Sequence, residues 1–336
     1  MTTDTAPAAH LTRRAAVLHG SRRVFAAPTV GPLLALLVTM AFFSFKSDRF
    51  LQTQNLSLVL QQTMVVGVLA IGQTLVILTA GIDLSVGTVM ALGQIVMTKL
   101  AVVSGVPALP ALLIGIATCV GFGVLNGGLV TVVRLPAFIV TLGTLNVAFA
   151  LTHIVSKDET FTGLPDTLLF FGRTFRVANA EFTYGVVLMI VLYAVTWFAL
   201  AHTAWGRHVY AVGDNREAAR LTGIDTNRVL LSVYTVAGLM SGIAALLLVG
   251  RTEVGDPNAG QTTENLDSIT AVVLGGTSLF GGRGTVVGTA IGALIVGVFR
   301  NGLTLIGVQV IYQYLVTGIL VILAVSVDQL THRRQA

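Results

Sequence analysis

The sequence predicts an all-α integral membrane protein of about ten transmembrane helices, with N- and C-termini cytoplasmic. Three observations carry this. Of 336 residues, 54% are hydrophobic and only 10% charged. Mean hydropathy is +0.85. Apolar runs near the length of a bilayer crossing recur along almost the whole chain. A soluble domain carries roughly 25% charged residues. The deficit therefore excludes a soluble enzyme, a disordered chain and a nucleic-acid-binding module. With 36 glycines but only 8 prolines, the chain is neither collagen-like nor low-complexity.

A crossing helix needs ~20 mostly apolar residues. Ten stretches qualify: 28–45, 57–79, 86–104, 108–133, 135–155, 183–201, 229–250, 266–282, 285–301 and 308–328. They are continuous runs, without the period-2 alternation of a barrel strand. The eighth is the weakest, because its apolar core, Ser268–Gly281, is short. A re-entrant or broken helix is the alternative to a full crossing there.

Charge sets the orientation. With the N-terminus inside, twelve of the 20 lysines and arginines fall on the inner side, among them Arg13, Arg14, Arg22, Arg23 and four in 202–228. That bias follows the positive-inside rule. The basic pI of ≈ 9.7 thus reports orientation and calls for no polyanion. The division is a cytoplasmic tail 1–27, a transmembrane domain 28–328 and a cytoplasmic tail 329–336. Ser21-Arg22-Arg23-Val24-Phe25 resembles a twin-arginine export signal, but no small-residue cleavage site follows Gly31–Phe45, so these arginines read as anchors for the first helix.

No metal or cofactor site is expected. Cys119 is the only cysteine, and the six histidines form no i,i+4 pair. No Gly-Lys-Ser/Thr occurs, so the chain is not itself a phosphate-loop ATPase.

Two loops are long. The outer one, 156–182, mixes Asp158, Glu159, Asp166, Arg173, Arg176 and Glu181, and reads as a solvated surface, either a connector or a docking face. The inner one, 202–228, contains a short amphipathic helix. Asp214 or Asn215 is its cap, Leu221 its end and Gly223 its C′ stop. Ala218, Ala219 and Leu221 give it an apolar patch. Such a helix is too short to be stable alone, so it reads as an element that docks into a groove of another protein. An interfacial helix lying on lipid is the alternative.

Glu217-Ala218-Ala219, with Gly223 four residues on, resembles the coupling motif of ABC importer permeases. The longer string Gly213-Asp214-Asn215, Ala218-Ala219 and Gly223-Ile224 is similar to that of the ribose-type sugar permeases. Nothing matches the trailing Ile-x-Leu-Pro of the wider motif. Three further segments resemble the same family in the same order: Gly81-Ile82-Asp83-Leu84-Ser85-Val86-Gly87; Asn126-Gly127 with Leu135–Gly143; and Gly275–Gly284. The resemblance covers roughly 55–328. It implies a coupling helix at Asp214, Asn215, Glu217, Ala218, Ala219, Gly223 and Ile224. It also implies an ABC ATP-binding subunit, an extracytoplasmic solute-binding protein and a second permease chain, in a bacterial cell membrane.

Residues of those segments also have a direct reading. Asp83 is a carboxylate beside hydrocarbon. It should face a cavity, a partner or the cytoplasm, and Asp83 or Ser85 is expected to cap the third span. A shift of 201 residues aligns Gly81, Val86, Gly87 and Thr88 with Gly282, Val287, Gly288 and Thr289, which would bring Asp83 near Arg283 on the inner side. Uncharged polar residues inside spans suggest a conduit for a neutral solute. Gln73, Asp83, Asn126, Thr141, Asn146 and Thr277 are the candidate pathway or gate positions.

The expected function is a non-catalytic permease subunit of an ATP-driven importer for a monosaccharide. Branched-chain amino acid, nucleoside or inositol permeases share much of the pattern. An ion-coupled secondary transporter is the alternative of another class. It would need an intramembrane relay, for which only Asp83 and Asp267 stand, both at span ends.

Overall fold

Each of the ten apolar stretches contains a helix. The computed structural model describes residues 29–177, 180–259 and 263–333. The tail 1–27 and its arginines lie outside the described residues, as do 334–336. In chain order the helices are α1 (Val30–Lys46), α2 (Thr53–Leu78), α3 (Val86–Val102), α4 (Ala108–Thr131) and α5 (Ala137–Ser156). There follow α6 (Asp166–Leu169), a 3₁₀ turn Phe170–Gly172, and the antiparallel strands β1 (Thr174–Val177) and β2 (Ala180–Thr183). The chain continues through α7 (Tyr184–His202), α8 (Ala204–Asp214), α9 (Arg216–Leu221) and α10 (Thr226–Thr252). It ends in α11 (Thr263–Leu274), α12 (Val286–Leu305) and α13 (Val310–Arg333).

Six helices, α2, α4, α5, α7, α10 and α12, are long and apolar enough to cross a membrane by length and composition. Helix α11 is not. Its 12 residues rise about 18 Å at 1.5 Å each, short of a ~30 Å hydrocarbon core. The expected eighth span to 282 stops at Leu274, where Gly275 and Gly276 turn the chain and Gly276 takes a φ of +81°.

Helices α2 and α10 are the buried axis of the bundle, and α4, α5 and α7 leave most of their apolar side chains outward. Such all-round apolar helices suit lipid or a further protein surface. Helix α10 lies directly on α4 because glycines meet there. A Cβ on Gly123 would overlap the Tyr234 carbonyl, and one on Gly238 would overlap that of Cys119. Small residues of this kind let membrane helices approach closely, where lipid removes the hydrophobic drive for association.

The loop 156–182 is more than a solvated connector. Phe161, Leu164 and Leu168 are buried in the bundle end. The β1–β2 register pairs Arg176 with Glu181, joined by a 2.7 Å ion pair. A bridge between Phe161 and Gly255 places this loop beside the α10–α11 connection. At the other end of the bundle, Gly282 donates to the Leu78 carbonyl at 3.0 Å.

Candidate functional site

Two short helices hang below α7 and α10. Thr203 caps α8 by accepting from the Gly206 amide at 3.2 Å. One face of α8, carrying Val209, Val212 and Gly213, is buried. Tyr210 donates to the Gly284 carbonyl at 2.9 Å, and Trp205 donates to the Ser232 hydroxyl of α10 at 2.8 Å. Burial pushes the Tyr210 hydroxyl up from its ordinary value, so it stays a donor. The sequence reading missed α8; its apolar positions at i and i+3 were the available signal.

Helix α9 follows. Asn215, and not Asp214, is its cap, its Oδ1 accepting from the Ala218 amide at 2.9 Å. Its end closes with two bonds, Gly223 N–H to the Arg220 carbonyl at 3.0 Å and Ile224 N–H to that of Ala219 at 3.1 Å. That is the Schellman pattern, which needs a left-handed residue at C′. Gly223 supplies it with a φ of +88°. The expected apolar patch is divided. Ala219 turns inward and is buried, Ala218 is exposed, and Leu221 is 80% exposed. Glu217 pairs with Arg220 at 2.8 Å. A cleft of about 920 Å³ separates α9 from the Arg134–Ala137 connection and reaches Gly81 and Tyr234.

Beyond that cleft is the turn Gly81–Ser85. Asp83 is almost wholly buried, and its Oδ1 accepts from the Ser85 amide at 2.8 Å and the Ser85 hydroxyl at 2.6 Å. The Ser85 hydroxyl in turn accepts from Asn126 Nδ2 at 3.0 Å. Thr141 donates to the Ile82 carbonyl at 3.1 Å. Thus α4 and α5 both hold the turn, and Asp83, Asn126 and Thr141 come together. Of the two residues expected to cap α3, Ser85 occupies the N-cap position, but its hydroxyl is committed to Asp83 and makes no cap bond. The Gly87 amide is taken instead by Asn265 Oδ1 of α11. Helix α3 starts among buried residues, level with Asn126, and a side chain from a distant helix takes up one of its first amides.

The other expected positions lie apart. Gln73 is fully buried on α2, and neither end of its carboxamide has a hydrogen-bond partner among the described residues. Asn146 is on an exposed face of α5, donating to its own helix at the Leu142 carbonyl, 3.0 Å. Thr277 is buried in the glycine-rich loop against Gly284.

The opposite end of the bundle holds a charged pair that the sequence reading placed only at span ends. Asp267, 0% exposed, meets Arg300 Nη2 at 2.8 Å. Arg251 donates to the Gln62 carbonyl at 3.3 Å. The pair joins α11 to α12, and its signal was an acid and a base on two apolar stretches that run antiparallel.

The family described as branched-chain amino acid transport system / permease component matches residues 55–325. The fructose import permease protein of Rhizobium meliloti is 45% identical over 308 residues, which is 90% of this chain and 85% of the relative. The ribose import permease protein of Escherichia coli K12 is 41% identical over 302 residues, 88% of this chain and 92% of the relative. That of Bacillus subtilis is 39% identical over 302 residues, 89% and 92% respectively. No solved structure matches the chain. With four-fifths of its length matched, and relatives of this identity spanning nearly all of it, the chain belongs to this family of transport-system permease components.

Proposed function

We propose that the chain is the membrane-spanning subunit of an ATP-driven ABC importer that translocates a monosaccharide. In this reading ten helices cross or enter a bacterial plasma membrane and both termini are cytoplasmic. Residues 28–328 form the transmembrane domain between tails 1–27 and 329–336. A solute-binding protein delivers sugar at the end that carries the β1–β2 hairpin. A separate ATP-binding subunit receives α9, and a second copy of this permease completes the conduit. The chain itself performs no covalent chemistry.

The observation that carries the reading is α9, with its side-chain cap, its Schellman end and the exposed Leu221 at its tip. A six-residue helix is not stable by itself. Holding one rigid, with an apolar tip in solvent, is useful if it seats in another protein. Asp214, Asn215, Glu217, Ala218, Ala219, Gly223 and Ile224 then form the coupling element. Buried Asp83, Asn126 and Thr141 hold the gate at the inner end, and the cleft beneath Tyr234 is the way out. Gln73, Asn146 and Thr277 complete the proposed set of pathway positions. The sugar preference follows the relatives, which are named as fructose and ribose import permeases.

The test is uptake of labelled ribose, fructose, xylose, galactose, inositol and leucine, with and without this gene, beside a Gly223→Asp variant. Loss of ATP-dependent uptake of one sugar in both is the expected result. Loss of leucine uptake instead keeps the importer and overturns the substrate class. Uptake that persists without ATP and ignores Gly223→Asp favours an ion-coupled transporter.

A further inference from the structure

At the end of the bundle away from α8 and α9 is a cavity of about 400 Å³, between α2, α10, α12 and α13. That volume lies in the ~300–1,000 Å³ range of small-ligand sites. Its walls carry Gln61, Gln62, Arg251, Arg300, Gln313 and Tyr314. Aliphatic side chains contribute little of the lining. For the wall of an apolar bundle this is an unusual concentration of hydrogen-bonding groups, since polar side chains there are costly unless they face a cavity or a partner.

Both arginines of this wall are partly engaged. Arg300 is bound to Asp267, which is buried behind it. Arg251 donates to the Gln62 carbonyl at 3.3 Å. The cavity is therefore offered guanidinium N–H groups, one of whose two positive charges is balanced by a buried carboxylate. An anion entering it would have to compete with Asp267 for Arg300. A neutral ligand with many hydroxyls would not. It could accept from the two arginines and exchange bonds with the carboxamides of Gln61 and Gln62, each of which is both donor and acceptor. The Tyr314 ring, 49% exposed, offers a flat apolar face of the kind that packs on the C–H face of a sugar ring.

We propose that this cavity is the entry site at which the permease itself recognises the sugar, a neutral polyhydroxylated ring, before passage toward the Gly81–Ser85 turn. The proposal rests on the sugar-importer reading and adds to it a site and its residues. Helix α2 connects the two places, with Gln61 and Gln62 near its start and Leu78 at its end. The sixteen helical rises from Gln62 to Leu78 span about 24 Å.

The buried Cys119 is the only cysteine of the chain, so a cysteine placed in the cavity can be followed against a low background. The experiment uses right-side-out membrane vesicles carrying the complete transporter. Gln61→Cys is labelled with a membrane-impermeant maleimide, with D-ribose, D-fructose or leucine present at millimolar concentration. Among the described residues the Gln61 side chain makes no hydrogen bond, and its main chain lies within α2. Thr317→Cys, on the facing wall, is the second variant. The expected result is labelling slowed several-fold by whichever sugar the vesicles import, and unchanged by leucine. Labelling of both variants that no imported sugar slows overturns the proposal and leaves the importer reading standing. Failure of either cysteine to label at all also overturns it, because the cavity is then not open to the outer side. Absence of any sugar uptake by the unmodified transporter removes the importer reading, and this proposal with it.

Discussion

Asn55 at the start of α2 and Asn301 near the end of α12 hold each other by two reciprocal carboxamide hydrogen bonds, 2.9 and 3.0 Å long. Both side chains are buried, and Asn55 also donates to the Phe50 carbonyl at 2.9 Å. The pair clamps two helices near a cluster in which Phe43 packs on Phe50 and Phe299. Alanine at either position leaves the partner amide buried and unmatched, a loss of about 1–3 kcal/mol. The double variant should lose less than the sum of the singles when thermal unfolding is followed in detergent. Losses that simply add would show that the two amides are not coupled.

Leu221→Asp should leave the amount of protein in the membrane unchanged and abolish uptake, because Leu221 contacts solvent and not the bundle. Asn215→Ala removes the α9 cap, worth about 1 kcal/mol, and should reduce uptake without abolishing it. Immunodetection of the permease beside the uptake rate separates the two effects. Full uptake by Leu221→Asp would show that the tip of α9 docks nowhere.

Gly213 has no room for a side chain. A Cβ there would overlap the Leu78 carbonyl and approach Gly282 N at 2.7 Å. Both obstacles are backbone, so neither can rotate away. Gly213→Ala should lower the folded yield sharply, measured as the monodisperse fraction on size exclusion. Gly223→Ala meets no atom within 4 Å, and should cost only the strain of its positive φ, about 1 kcal/mol.

Arg300→Met leaves the Asp267 carboxylate buried without its cation, a loss of about 3–5 kcal/mol. Arg300→Met with Asp267→Leu should recover much of that stability. Thermal unfolding of the two variants decides it; a double variant no more stable than the single would mean that the pair is not the cause.

At the turn, Asp83→Asn keeps an acceptor oxygen where Ser85 donates twice, whereas Asp83→Ala removes it. The asparagine variant should accumulate normally and the alanine variant poorly. If uptake by Asp83→Asn nonetheless falls, the charge of Asp83 matters beyond the turn.

What the sequence made legible was local. The cap of α9 and its glycine stop follow from side-chain reach and backbone freedom within nine residues. The weakness of the eighth stretch was visible in its short apolar core. The cap of α3 was not, because Asn265 comes from 178 residues away and nothing at Gly87 announces it. The strands β1 and β2 are too short for an alternation to register. Asn146 is an amide in an apolar stretch, and no pattern in the sequence announces that its Nδ2 donates to its own helix. Gly282, aligned with Gly81 by the 201-residue shift, does reach the end of α2 at the Leu78 carbonyl, though the carboxylate of Asp83 is engaged by Ser85.

Gly213 touches Leu78 and Gly282 through main chain alone, and Tyr210 ties the same helix to Gly284. A joint made of backbone has no slack, because it contains no rotamers to absorb displacement. If α9 is pushed as the proposed coupling role requires, displacement carried into α8 would reach both the end of α2 and the glycine loop before α12, because Gly213 abuts the main chain of each.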